Sequence, residues 1–559
     1  MSKEKTEQKS SVVKHGIIIN IIWLAAVMAG LYWVHPAVNI KSPELWFFIA
    51  CSFVGKAVAK YLYEVLVLMT SNSSSVDFVF NAKNIVRDFT IAGSIIGIAA
   101  IIGLTSSVLI NAKDYSNLIT VQDGNFETDI KEINYSEIPL LDKDSAALLG
   151  NRKMGTMVDM VSQFEVSDEY NQINLNNKPT RVTPLRYANI IKWINNQHEG
   201  IPAYITIDMS TQETECIRLE AGKYIKYSNN DYFNRNIWRH VQFRYPTYMF
   251  DTITFEIDDS GNPVWVCSAV KKTIGLFGGK LVDKVVICNA ITGDTECYEV
   301  DNCPEWVDTV YSSSMLIGLY DYYGTYKDGF FNSILGQKGC LETTDGYNYL
   351  ALNDDIWLYT GVTSLSGDES NVGFVLMNKR TAETKYYTCP GAEEYSAMDS
   401  AEGQVQHLGY TATFPLLINI ANEPTYFIAL KDEAGLVKMY AMVNIEKYQL
   451  VATGNTVIEC EKNYLKLLKN NTNIKVDSEG LSNVEGLISR ISPISIDGNT
   501  YYYIVLDVSN DIYSVLVSET PQVVLSDIGD KVKISYDEGN LAGVNDVITI
   551  ETLDKAISE

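Results

Sequence analysis

Five histidines stand at His15, His35, His198, His240 and His407, too scattered to pair at metal-binding spacing, and no H-E-x-x-H occurs. The chain has no G-x-S-x-G elbow, no Walker loop and no G-x-G-x-x-G. Asp258-Asp259-Ser260-Gly261 opens like a calcium loop, but the alternating ligands do not continue, so it reads as a turn, as does Asn353-Asp354-Asp355. With 69 acids in 559 residues, isolated carboxylate pairs are unavoidable and none points to a hydrolase. The nine cysteines contain no C-x-x-C. Eight of them, Cys216 to Cys460, read either as disulfides of an outward domain or as small buried thiols, with Cys288 and Cys297 flanking a turn. No catalytic residue, metal or cofactor is expected.

Two constellations remain. Only ten Arg occur, and Arg235, Arg239 and Arg244 fall together with Trp238, His240 and Tyr245 between them. On one helix Arg235 and Arg239 would share a face and repel, so something anionic should offset them. That offset is either a carboxylate- or phosphate-bearing ligand held by bidentate Arg contacts, or the protein's own acids. The second constellation is Ser52, Lys56, Lys60 and Glu64, which recur every four residues inside an apolar stretch and so form one helical stripe. It reads as a pathway lining or a contact for a partner helix, or as Lys60 pairing with Glu64 while Lys56 snorkels.

The elements that must carry these residues divide by charge. Residues 1–111 carry nine basic and six acidic groups, whereas 112–559 carry 35 and 63, so a net charge of −25 conceals a basic anchor and an acidic remainder. Such a balance argues against binding nucleic acid through phosphate neutralisation. Three apolar stretches, 16–34, 45–69 and 89–110, reach the length of about 20 residues that crosses hydrocarbon. The lysines of the tail, residues 1–15, place it in the cytoplasm, and three crossings then put residue 112 onward outside.

Beyond the spans a motif recurs. Asp208, Thr211 and Thr214 are matched by Asn289, Thr292 and Thr295, and by Asn378, Thr381 and Thr384. Upstream of them lie Pro202-Ala203-Tyr204, Pro263-Val264-Trp265 and Asp355-Ile356-Trp357, and a fourth copy runs from Pro424 to Asn444. Thr292-Gly293 sits between strand-like runs as a hairpin. Ile253, Phe255 and Ile257 alternate with Thr254, Glu256 and Asp258, which predicts one buried and one wet face. Helices are predicted at Pro184–His198, Asp231–Phe243 and Pro390–His407.

The stretch GNPVWVCSAVKKTIGLFGGKLVDKVVICNAITGDTECY (261–298) resembles a PepSY-type domain, and 397–450 is similar but degenerate. The resemblance implies a helix packed on a small antiparallel sheet outside the membrane, binding or regulating a peptidase or other partner. The phrases IGLFGGK, PEWVD and GQKGC also resemble a group of membrane-anchored Firmicutes proteins. The expected organisation is α+β. A membrane region at 16–111 is followed by a connecting α/β region at 112–183 and by repeats at 184–300, 301–390 and 391–470. A small OB- or SH3-like barrel occupies 484–552. That barrel holds eleven acids against three bases, so Tyr501-Tyr502-Tyr503 reads as wall packing and not as a stacking platform for nucleic acid. The expected function is non-catalytic binding or regulation at the cell envelope, with the lipid bilayer and an envelope protein or peptide as partners. The alternatives are an accessory subunit of a transport or signalling complex, and an envelope hydrolase.

Overall fold

The structure, a computed structural model, describes residues 2–70, 82–130, 138–176, 178–352, 355–365, 370–471, 482–496, 499–517, 520–538 and 544–555. It divides into two units, Met1–Thr472 and Asn473–Glu559.

Helices α1 (Ser2–Val34), α2 (Pro43–Thr70) and α3 (Ala82–Thr105) each contain a run long and apolar enough to cross a membrane. Those runs are Ile17–Val34, Pro43–Leu66 and Asn84–Thr105, with mean hydropathies of 2.2, 1.4 and 1.9. Helix α1 stops before Pro36, a residue that disfavours helix in its predecessor, and His35 leaves the helical region with a φ of +40°. The third run starts earlier than the expected 89–110 and stops at Thr105. There Thr105 and Ser107 hydroxyls donate to the Ile102 and Leu104 carbonyls at 3.0 and 2.7 Å, competing with the helix for its own acceptors. A separate helix, α4 (Val108–Ser116), follows.

Four modules form most of the rest of the first unit, each an antiparallel meander preceded by a helix, the helices being Lys143–Gly155, Ile237–Arg244, Ser313–Tyr326 and Glu394–Gln404. Sheet one runs Asn171–Leu175, Lys178–Tyr187, Ala203–Asp208 and Thr214–Arg218. Sheet two runs Met249–Ile257, Pro263–Ile274, Gly278–Asn289 and Thr295–Glu299. Sheet three runs Asn348–Leu352, Asp355–Ser364, Ser370–Asn378 and Thr384–Ala392, and Val121–Asp123 adds in parallel to the last strand. Sheet four runs Leu416–Ile420, Glu423–Lys431, Val437–Asn444 and Val451–Gly454. Sheet one therefore begins inside the stretch expected to be a connecting region, with Phe164–Val166 as its extra edge.

The Asx-x-x-Thr signature is one turn built three times. The Asp208 carboxylate accepts from the amides of Ser210 and Thr211, and the Asn289 and Asn378 amide oxygens accept likewise from Ile291 and Thr292, and from Arg380 and Thr381. The Thr hydroxyls then accept from Glu213, Asp294 and Glu383. Gln212, Gly293 and Ala382 supply the left-handed position that closes the turn, with φ of 63°, 77° and 62°. After each turn residue the next amide donates back to the second strand: Met209 to the Pro179 carbonyl, Ala290 to Pro263, Lys379 to Ile356 and, in sheet four, Ile445 to Pro424. This corrects the sequence register, because the counterpart of Pro263 in sheet one is Pro179 and not Pro202.

The predicted helices shift too. Pro184–Tyr187 belongs to a strand, and only Ile190–Asn196 is helical, capped by the Asn189 side chain. The predicted Asp231–Phe243 helix is broken at Asn236 into a 3₁₀ turn, Phe233–Arg235, and a helix, Ile237–Arg244. Glu394–Gln404 lies within the third predicted range. All nine cysteines are free thiols; Cys288 stands opposite Thr295 and Cys297 opposite Val286, so the two do not face each other.

In the second unit, Ser482–Ile496, Asn499–Leu506, Ile512–Leu516, Lys531–Glu538 and Val544–Asp554 close into a barrel around Ile488, Ile504, Val515, Val532 and Ile534. Its third and fifth strands pair in parallel. Tyr502 packs on this core, as wall packing requires.

Candidate functional site

The opening hairpin of sheet one places Gln172 directly opposite Arg181, so both side chains leave the same face, and Tyr170 follows the same alternation. That face borders a cavity of about 370 Å³. Tyr347, Asn348 and Tyr349 reach it from sheet three, Leu416 and Phe427 from sheet four, and Asp142 from the segment before the first module helix.

Arg181 is 6% exposed, yet its Nε has no hydrogen-bond partner and no carboxylate lies at ion-pair distance among the described residues. Burial pushes its guanidinium down, and only the diffuse influence of Tyr349, Asp142, Tyr347 and Asp144 opposes this. Asp142 is already engaged. Burial works against its ionisation, but Lys431 at 2.6 Å and Ser145 hold its carboxyl below the usual range. Gln172 is 2% exposed with both side-chain polar atoms unpartnered, and the Tyr170 hydroxyl is unpartnered as well. Guanidinium does not give up its proton in a protein, so a buried one calls for an anion.

On the other face of the same strand a second charged cluster is internally satisfied. The Asn171 side-chain amide donates to Glu256 at 3.1 Å, and the Asp308 and Thr309 amides donate to the same carboxylate at 3.1 and 3.0 Å. Burial pushes Glu256 up to about 6 and raises Asp308 well above its ordinary value. Lys379 donates to the Thr309 hydroxyl at 3.2 Å and lies 4.6 Å from the Tyr349 ring, which also lines the cavity. Burial pushes Lys379 down to about 8, against the opposing pull of Glu256 and Asp308. Glu256 was expected on a wet face, but that face of the strand is covered as well.

The turn register shows how unusual these charges are. Arg181 occupies the position held by Trp265, Leu358 and Tyr426 in the other sheets, each essentially fully buried. Glu256 stands where the others have Ile173, Leu350 and Ile418, and Lys379 where they have Met209, Ala290 and Ile445. That alignment is the sequence signal that would have found the site.

The arginine constellation is placed differently from the expected ligand site. Arg239 is buried against the end of α1: its Nε donates to the Tyr32 carbonyl at 2.8 Å, another nitrogen donates to Phe233 at 2.6 Å, and it lies 4.7 and 5.0 Å from the Tyr32 and Trp33 rings. A cation thus meets the negative end of the α1 dipole. Arg235 donates to the Gln197 carbonyl, and His240 pairs with the Gly293 carbonyl at 2.7 Å. Tyr245 meets the Thr295 hydroxyl at 3.1 Å, Trp238 packs on the core, and Arg244 is exposed. Backbone carbonyls and rings, not acids, take up most of this charge. A cleft of about 270 Å³ beside Arg239 also holds Asp231.

In the apolar helices, Lys60 pairs with Asp88 of α3 and not with Glu64. Lys56 lies 4.0 Å from the Trp23 ring of α1, and the Ser52 carbonyl accepts from the Trp23 indole at 2.8 Å. Glu64 keeps one buried oxygen without a hydrogen-bond partner. The stripe therefore stitches α2 to both neighbours, beside a groove of about 700 Å³ between α1 and α2.

No protein-family model matches the chain, and no curated protein does. Among solved structures, a mutant of Synechocystis apocarotenoid oxygenase aligns over 72% of this chain and 64% of its own at 9% identity, with a TM-score of 0.14. A chimera of that oxygenase with RPE65 aligns over 70% and 62% at 8% identity, with a TM-score of 0.13. The chain thus spans less than two thirds of the length of these structures, and scores this low carry no argument about fold or activity.

Proposed function

We propose that this is a membrane-anchored cell-envelope protein whose ectodomain binds a small oxyanionic ligand, a carboxylate or phosphate free or on a peptide, without transforming it. The amino terminus lies in the cytoplasm and the four sheets outside. The observation that carries this reading is Arg181, a buried guanidinium with no acid at ion-pair distance among the described residues, bordering a cavity with Gln172. The PepSY-like resemblance fits the helix-then-meander modules, and the strand order and parallel pair of the terminal barrel favour an OB-like reading.

The test uses the full chain in detergent with inorganic phosphate and acetate as probes. One of them should raise the melting temperature, and Arg181→Met should abolish that shift. Without ligand, R181M should be more stable by about 1–4 kcal/mol, because an apolar side chain replaces an unpaired buried charge. No stabilisation by either anion, or a shift that survives in R181M, defeats the proposal. A second reading, an accessory subunit docking through the groove beside Lys56, predicts a membrane partner lost when Gly55 and Ala59, which line that groove, become Leu.

A further inference from the structure

Helix Ile190–Asn196 carries its three isoleucines outward: Ile190, Ile191 and Ile194 are 52%, 64% and 53% exposed. A helix that turns its apolar side to water ordinarily has a partner there. Its surroundings identify one. Trp193 of this helix lies 6.0 Å from the Phe233 ring, and Phe233 lies 6.0 Å from Trp33, the penultimate residue of α1. Phe243 lies 5.8 Å from Tyr32, and on the neighbouring helix Trp46 lies 6.1 Å from Phe277. Tyr32, Trp33 and Trp46 sit where the apolar runs of α1 and α2 end, the level at which Tyr and Trp anchor helices in the headgroup region.

Hydrogen bonds tie these elements to the helix ends. Arg239 holds the Tyr32 carbonyl, the Val38 amide donates to Pro246 at 2.7 Å, Lys41 donates to the Lys272 carbonyl at 2.7 Å, and the Ser106 hydroxyl accepts from Leu276 at 3.1 Å. Elements that touch the ends of α1, α2 and α3 are thus fixed at the depth of the membrane surface, and the isoleucine face continues from them through Trp193 and Phe233.

We infer that the face formed by Ile190, Ile191, Ile194 and Phe233 rests in the lipid headgroup region, so that sheet one is seated on the bilayer as well as tethered to it. The occupant is lipid, because the patch is continuous with the aromatic collar of the spanning helices. Lys192 lies among these isoleucines on the same helix, which suits an anionic surface.

The full chain, with Cys51, Cys216 and Cys297 replaced by Ser, would be spin-labelled singly at I191C, F233C or I458C. It would then be placed in nanodiscs of phosphatidylcholine and phosphatidylglycerol. Ile458 is comparably exposed, at 67%, on the helix Val457–Asn471 that follows sheet four. At 191 and 233 dissolved oxygen should relax the label more than a water-soluble nickel chelate does, and at 458 the order should reverse. Chelate-dominated relaxation at 191 and 233 would place the patch in water. Exclusion of both reagents would place a second protein surface on it. Either result overturns the inference.

Discussion

Glu256 is enclosed by the Asn171 amide and two backbone amides, and burial still raises it to about 6 from an ordinary value of 4.5. A carboxyl raised on folding holds its proton better in the folded state. Its contribution to stability is therefore fullest below about 4.5 and is lost as pH rises through about 6. Denaturant midpoints of the wild type should fall across that window relative to Glu256→Gln, which cannot titrate. Parallel curves would show that the carboxyl is not the group responsible. This residue also marks what the sequence leaves hidden. Period-two alternation at Ile253, Phe255 and Ile257 correctly separates two faces of a strand, but it cannot say that the second face is buried too. Arg181 was hidden for the same reason: alone in a strand, it reads as a surface residue. Only alignment through the Asx turns sets it beside Trp265, Leu358 and Tyr426.

At the level of elements, the turn is the most local of the structural devices, and its chemistry lies within six residues, from Asn289 to Asp294. Asn289→Ala removes one acceptor from two backbone amides and should cost about 1–2 kcal/mol. Gly293→Ala should cost more, because a Cβ there meets the Tyr227 ring at 2.4 Å and the φ is left-handed. Equilibrium unfolding checks the order, and a milder G293A would refute it. Such turns are legible because side chain and backbone act within one stretch of chain. The apolar helices are legible for a comparable reason, since length and hydropathy suffice. The partner of Lys60 is not, because Asp88 comes from another helix. The break at Asn236 is hidden in the sequence because helical periodicity at Phe233, Ile237 and Val241 runs through it, while the Asn236 side chain caps a new helix by accepting from the Arg239 amide.

At the scale of the molecule, the terminal barrel has its own core and a closed ladder of strands. A fragment covering Asn473–Glu559 should therefore melt cooperatively by itself, and a featureless near-ultraviolet dichroism spectrum would show otherwise. The four sheets have no such independence. Arg181 of sheet one lines its cavity with Tyr347 and Tyr349 from the sheet-three side, Glu256 of sheet two accepts from Asn171 of sheet one, and Lys379, in the turn after the third strand of sheet three, is pulled by Glu256 of sheet two. A nascent chain that has completed one or two meanders still carries bare charges at positions meant for an interior. Premature docking with an incomplete set, or with the wrong copy of so similar a unit, is penalised by desolvation that nothing offsets. The same buried charges thus act as a proofreading device during assembly, admitting one arrangement of look-alike modules and rejecting the permutations.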